Sequence, residues 1–134
     1  MWNTYSQFDW LKFLSLAKEL RTRTEEEAIR TSVSRAYYAT YHRALDFLDS
    51  QRVSVTRAAA APGGVRAGTS HDALWRTFSQ SSDKRWQKIG EDGDRLKRRR
   101  HQVDYDSHVP GLIPNVADEV LIVSQKIVDA LSRL

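Results

Sequence analysis

Arg100 and Asp104 stand four residues apart, on a stretch whose other spacing asks for apolar side chains at both places. With about 100° between successive residues of a helix, Trp86, Ile89, Gly93, Leu96, Arg100 and Val103 fall on one stripe, and Asp104 falls on it too. A charge turned toward a core is costly unless it is paired and hydrogen-bonded. A guanidinium and a carboxylate one helical turn apart can supply that pairing. Two chemistries follow. The pair is a structural brace between helices, or Arg100 lines a polar pocket and holds an anionic ligand. His101 and Tyr105 flank the pair and complete a candidate catalytic group of Arg100, Asp104, Tyr105 and His101. Of these, histidine moves protons near neutral pH, whereas a tyrosine, with an ordinary pKa of about 10, is a poor general base.

The same stretch carries a basic run. Arg95, Lys97, Arg98 and Arg99 are candidates for contacting RNA phosphates, since neighbouring cations neutralise a polyanion and release its counterions. The plainer reading is a solvated face near a helix C-terminus, where the dipole favours cations. Glu91, Asp92 and Asp94 lie just upstream and dilute the basic field. Farther back, Thr31, Arg35, Tyr38 and His42 recur at spacings of four, three and four and share one helical side. Arg35, Tyr38 and His42 are thus a supporting face, either a surface strip or a wall turned toward the Arg100 pocket. Tyr37 and Tyr41 form the neighbouring stripe, expected in the core with their hydroxyls at its margin. His42, His71, His101 and His108 lack ligand-like spacing, and no cysteine accompanies them, so no metal site and no cofactor is expected.

The elements that position these residues are helical. Trp10, Phe13, Leu14, Ala17 and Leu20 form an apolar stripe, which predicts a first helix from Tyr5 to Arg21. Thr24 and Glu27 have the spacing of a capping box, and the second helix is expected to run from there to about Arg52. From Ser54 to Thr69, an alanine run followed by Pro62-Gly63-Gly64 and Gly68 predicts a flexible exposed loop. Ser70 is the expected cap of a short third helix bearing Leu74, Trp75 and Phe78. A fourth helix should reach Tyr105, kinked or split near Gly90 and Gly93. Pro110, Gly111 and Pro114 break the chain, and Asn115 is the expected cap of the last helix. No segment alternates as a half-buried strand does. The expected fold is all-α: a single domain over residues 1–134, built as an antiparallel bundle of four to five helices.

Composition sets the outer limits. The chain has 134 residues, 21 basic against 17 acidic side chains, a formal net charge of +4 and no cysteine. Disulfides, thiolate ligands and thiol nucleophiles are therefore excluded. No apolar stretch is long enough for a membrane span, and the first residues lack the pattern of a signal peptide, so a cytoplasmic location is expected. Mild basicity permits a nucleic-acid partner without requiring one. Trp2, Trp10, Trp75 and Trp86, with Leu112 and Ile113, exceed what one small bundle needs, which favours a homodimer.

The segments Ser34–Leu45 (SRAYYATYHRAL) and Leu96–Asp106 (LKRRRHQVDYD), with Gly68-Thr69-Ser70-His71 between them, resemble the HEPN domain family. Short prokaryotic members carry an S-R-A-Y-Y-A-like second helix, a G-x-x-H-like landmark and R-x-x-A-D-Y in the fourth helix; here Val103 replaces the alanine. The resemblance covers the chain from about Trp10 onward. It implies a HEPN-like bundle, commonly a homodimer with fourth helices near the dimer axis. It also implies a toxin–antitoxin or other defence setting, with a nucleotidyltransferase or antitoxin as partner. Catalytic members are metal-independent ribonucleases with an R-x4-6-H motif, in which arginine stabilises developing charge and histidine moves protons. In this chain Tyr105 occupies the first position where that histidine would follow Arg100, and His108 falls one position too far. Arg95 and His101 meet the spacing, but Arg95 lies off the inward stripe. The leading expectation is a module that binds RNA or a partner protein with weak or no ribonuclease activity. The alternatives are an active endoribonuclease toxin using Arg100 with His101 or His108, and a helical interaction domain without a nucleic-acid role.

Overall fold

The computed structural model describes residues 7–55 and 70–134. Their order is α1 (Leu11–Arg21), α2 (Glu26–Ser50), α3 (Ser70–Ser79), α4 (Lys84–Tyr105) and α5 (Ile113–Ser132). The architecture is a helical bundle with no strand among the described residues. Long α2 touches each of the other four helices. Its inner face contributes Ile29, Val33, Ala36, Tyr37 and Leu48 to a core completed by Leu74, Trp75, Phe78, Ile89, Leu96, Val120 and Ile127. No helix among the described residues is long and apolar enough to cross a membrane. Most of the segment expected to be a loop, and Trp2 of the dimer argument, lie outside the described residues; Ser54 and Val55 at the loop's start are in no regular element.

Several boundaries differ from expectation for identifiable reasons. The first helix begins at Leu11, not at Tyr5. The Asp9 carboxylate accepts the Leu11 amide at 3.0 Å, and Phe8 folds back onto Trp10 and Phe13 at ring separations of 4.9 and 5.1 Å. The capping box does not form: Glu25 is the N-cap of α2, its side chain makes no capping bond, and Thr24 stays outside. The Glu25 carboxylate is engaged instead by Arg23 at 3.2 Å, while Glu26 and Glu27 still lie in the favourable first turn. At the other end, Arg52 takes a left-handed φ of 57°, and the Val53 amide returns to the Leu48 carbonyl at 2.9 Å, closing the helix two residues before Arg52. The third helix already includes Ser70. Pro114 does not break the chain but sits in the first turn of α5, where a missing amide is harmless; Leu112, not Asn115, is the N-cap.

The fourth helix is continuous over 22 residues. Its glycines mark the seam with α3 rather than a break. A β-carbon on Gly93 would collide with the Trp75 indole, and one on Gly90 would come within 2.7 Å of the Trp75 carbonyl oxygen. Intrinsic weakness in the helix is thus offset by the close approach it allows, with Trp75 only 1% exposed.

Candidate nucleic-acid interface

Arg100 is turned inward, as the wheel predicts, and its side chain is 12% exposed. The guanidinium lies over the α2 tyrosines, 5.3 Å from the Tyr37 ring centre and 5.7 Å from that of Tyr38. Aromatic faces stabilise a cation without neutralising it. Asp104 is a loose partner: its Oδ2 is 3.9 Å from Arg100 Nη1 and accepts the Ser34 hydroxyl at 3.4 Å. Asp104 sits at the rim, not in the core, with a side chain 31% exposed. Arg100 Nε is buried and makes no hydrogen bond among the described residues. On its open side Arg100 lines a cleft of about 460 Å³ with Asp72, Lys97, Arg98, His101 and Gln102.

The basic run is leashed to acids. Arg95 pairs with Asp92 at 3.3 Å and lies 3.9 Å from Glu119. Lys97 is bonded to Asp72 on α3 and to Asp94 at 2.9 Å. Arg98 is bonded to Asp94 one turn back. Burial alone would push the Asp94 carboxyl up, but the bonds from Lys97 and Arg98 outweigh it and hold its pKa low. Arg99 is not on an outer face: it reaches Glu119 at 3.3 Å and the Pro110 carbonyl at 3.3 Å, tying α4 to α5 and the turn before it. Arg98, 70% exposed, and Arg95, 51% exposed, stand into solvent, whereas Lys97 and Arg99 are largely covered.

The expected supporting face divides. Tyr38 does abut Arg100, but Arg35 turns to α1, with its guanidinium 4.6 Å from the Phe13 ring centre. His42 stacks on Trp10, rings 3.6 Å apart and 8° from parallel. Burial lowers the His42 pKa, and Asp46 only partly opposes it. These two residues belong to the α1–α2 seam because α1 and its N-cap Trp10 carry the aromatic partners, which a wheel of α2 alone does not reveal. His101 lines the cleft and packs against Tyr105 with ring centres 4.7 Å apart, but Tyr105 itself is 70% exposed and outside the cleft lining.

His71 stands at the G-x-x-H landmark, and nothing in the sequence gives it a role. From the start of α3 it meets Tyr37: His71 Nδ1 is 2.8 Å from the Tyr37 oxygen, which also accepts the Trp75 indole N–H at 3.0 Å. The imidazole stacks on Tyr41, with ring centres 4.3 Å apart. Burial, then the charge of Arg100, lowers the His71 pKa; burial pushes the Tyr37 phenol well above its ordinary value. The site is therefore an arginine and a neutral histidine on a shared bed of tyrosines. Among the described residues no three of His, Asp and Glu converge as metal ligands would. The chain matches no protein-family model, no curated protein and no solved structure at a significant level.

Proposed function

We propose that this chain is a HEPN-like helical module of a toxin–antitoxin or defence-type system that binds RNA through the Arg100 cleft, with weak or no ribonuclease activity. The observation that carries the reading is the state of Arg100: inward, seated on two aromatic faces, paired only at 3.9 Å, and open to a cleft. A brace would hold its carboxylate at hydrogen-bonding distance. Among the described residues this guanidinium has no anion at hydrogen-bonding distance, and a phosphate supplies one with matching fork geometry. The family resemblance adds the RNA class, a homodimeric state and a nucleotidyltransferase or antitoxin partner to the same proposal. Weak activity follows from the position where the family's histidine would stand, which is occupied by the exposed Tyr105.

The test is fluorescence anisotropy with a labelled single-stranded RNA at graded salt, together with a cleavage gel in chelator. Binding without cleavage is the expected result. Arg100→Ala should abolish binding while costing under about 2 kcal/mol of stability, since Asp104 is already hydrated. A loss of about 3–5 kcal/mol with unchanged affinity would make Arg100 a buried brace instead. Chelator-resistant cleavage would establish the endoribonuclease, and absence of both would leave an interaction domain.

A further inference from the structure

The bond between Tyr37 and His71 has a direction that the surrounding donors dictate. An indole nitrogen can only donate, so the Tyr37 oxygen accepts from Trp75. The phenol hydrogen then needs an acceptor, and Tyr37 is 0% exposed, so water cannot serve. His71 Nδ1, at 2.8 Å, is that acceptor. If Nδ1 carried the proton instead, two donors would meet on one phenol oxygen and the phenol hydrogen would be stranded in the core. An imidazolium would create the same conflict, next to the charge of Arg100. His71 is thus neutral, with its proton on Nε2.

Nε2 lies across the imidazole from the Tyr37 bond and has no hydrogen-bond partner among the described residues. Arg100 and His71 share two rings. Their separations from the Tyr37 ring are 5.3 and 5.6 Å, and from the Tyr38 ring 5.7 and 5.9 Å. The Arg100 guanidinium and His71 Nε2 are thus a charged and a neutral donor set against the same two rings, and neither has an acceptor at hydrogen-bonding distance among the described residues. A phosphodiester has two non-bridging oxygens and one negative charge, which matches this set in number and charge.

We propose that His71 is a binding residue that donates its Nε2 proton to an RNA phosphodiester held by Arg100, and that Tyr37 is the positioning residue that fixes that proton on Nε2. This rests on the RNA reading above and deepens it. A general base must offer a bare nitrogen to the ribose 2′-hydroxyl, and Nε2 does not offer one. His71 therefore grips the backbone and does not act as the base.

The experiment joins a spectroscopic and a binding measurement on the full chain. Nitrogen-15 NMR of the imidazoles at neutral pH should show His71 Nδ1 bare and Nε2 protonated. In anisotropy with a labelled RNA of about 12 nucleotides, His71→Ala should weaken binding about tenfold or more, and His71→Gln, which keeps a side-chain N–H, should recover most of it. Tyr37→Phe should mix the two tautomers of His71 and weaken binding with it. If that variant does not fold, the tautomer measurement on the wild type and the two His71 variants still decide. A proton on Nδ1 overturns the proposal. So does an unchanged affinity in His71→Ala while Arg100→Ala no longer binds, an outcome that leaves the RNA reading standing. RNA cleavage that disappears in His71→Ala would also overturn it. Absence of RNA binding by the wild type defeats both readings together.

Discussion

Arg30 on α2 terminates α4 by donating to the Val103 carbonyl at 2.9 Å. The same guanidinium also reaches the carbonyls of Asp106 at 2.7 Å and Ser107 at 3.1 Å. The last carbonyls of a helix have no partner of their own, and the negative end of the dipole favours a cation there. Arg30 also lies 3.5 Å from Glu26 one turn back, which keeps the guanidinium aligned. Through this contact α2 fixes the end of the helix that carries Arg100 and Asp104.

Arg30→Ala should therefore lower stability by about 1.5–3 kcal/mol, the range for hydrogen bonds to a charged group. Arg30→Lys should recover less than half, because an ammonium cannot span three carbonyls in a fork. Urea unfolding followed by far-ultraviolet circular dichroism measures both. A change under about 0.5 kcal/mol in Arg30→Ala would show that water replaces the guanidinium without cost.

Arg98 and Arg99 should behave differently despite being neighbours. Arg98→Ala removes an exposed cation paired one turn back and should change stability by less than about 0.5 kcal/mol, with the RNA salt slope falling by up to about one. Arg99→Ala cuts the tie to Glu119 and the Pro110 carbonyl and should cost about 1 kcal/mol or more. Equal effects on stability would contradict the division between the two.

Gly93→Ala should be severe. The added methyl group would enter the space of the Trp75 indole, and Trp75 is anchored by its bond to Tyr37. A loss of about 3 kcal/mol is expected, at the upper end for overpacking. Gly93→Ala combined with Trp75→Phe should recover part of it. Thermal unfolding of the two variants is the check, and a fully stable single variant would mean that the α3–α4 seam is looser than described.

Acid should weaken the fold before most carboxylates titrate. His71 and His42 have pKa values lowered by burial in the native state, so the unfolded chain binds protons on them first as pH falls. Stability is full above about pH 6.5, the unfolded value, and declines below it until the folded values are reached. Around His71, Arg100, His42 and Lys97 oppose protonation and Asp72 favours it. Urea midpoints between about pH 7.5 and 5.5 should fall, and His71→Gln should flatten the decline. A midpoint unchanged over that window would place both histidines at ordinary pKa values.

The sequence shows what repeats along a single helix. The α2 stripe, the inward position of Arg100 and the all-helical fold follow from the period of about 3.6 residues. What depends on a second element is not visible in it. Gly90 and Gly93 read as weak points because propensity counts only the helix they occupy, whereas their value is the room they give Trp75. Arg35 and His42 read as a surface strip or a wall of the Arg100 pocket until Phe13 of α1 and its N-cap Trp10 supply their partners. His71 is missed as a site residue because its partner, Tyr37, is on another helix; the G-x-x-H landmark is the one signal that could have raised it. The basic run reads as a solvated face or a phosphate-contacting patch because Asp72 and Glu119, which help to pair it, come from α3 and α5.

Those pairings bear on how quickly an encounter could succeed. Each cation from Arg95 to Arg99 already has a carboxylate within 3.3 Å, so an approaching polyanion meets alternating charges and little net field. Such a surface gives little electrostatic steering, and association belongs near the unsteered range of about 10⁵–10⁶ M⁻¹s⁻¹. A strand that docks must displace carboxylates already in place, one exchange at a time. Preference for one strand over another would then be expressed in how long each stays, not in how often it arrives.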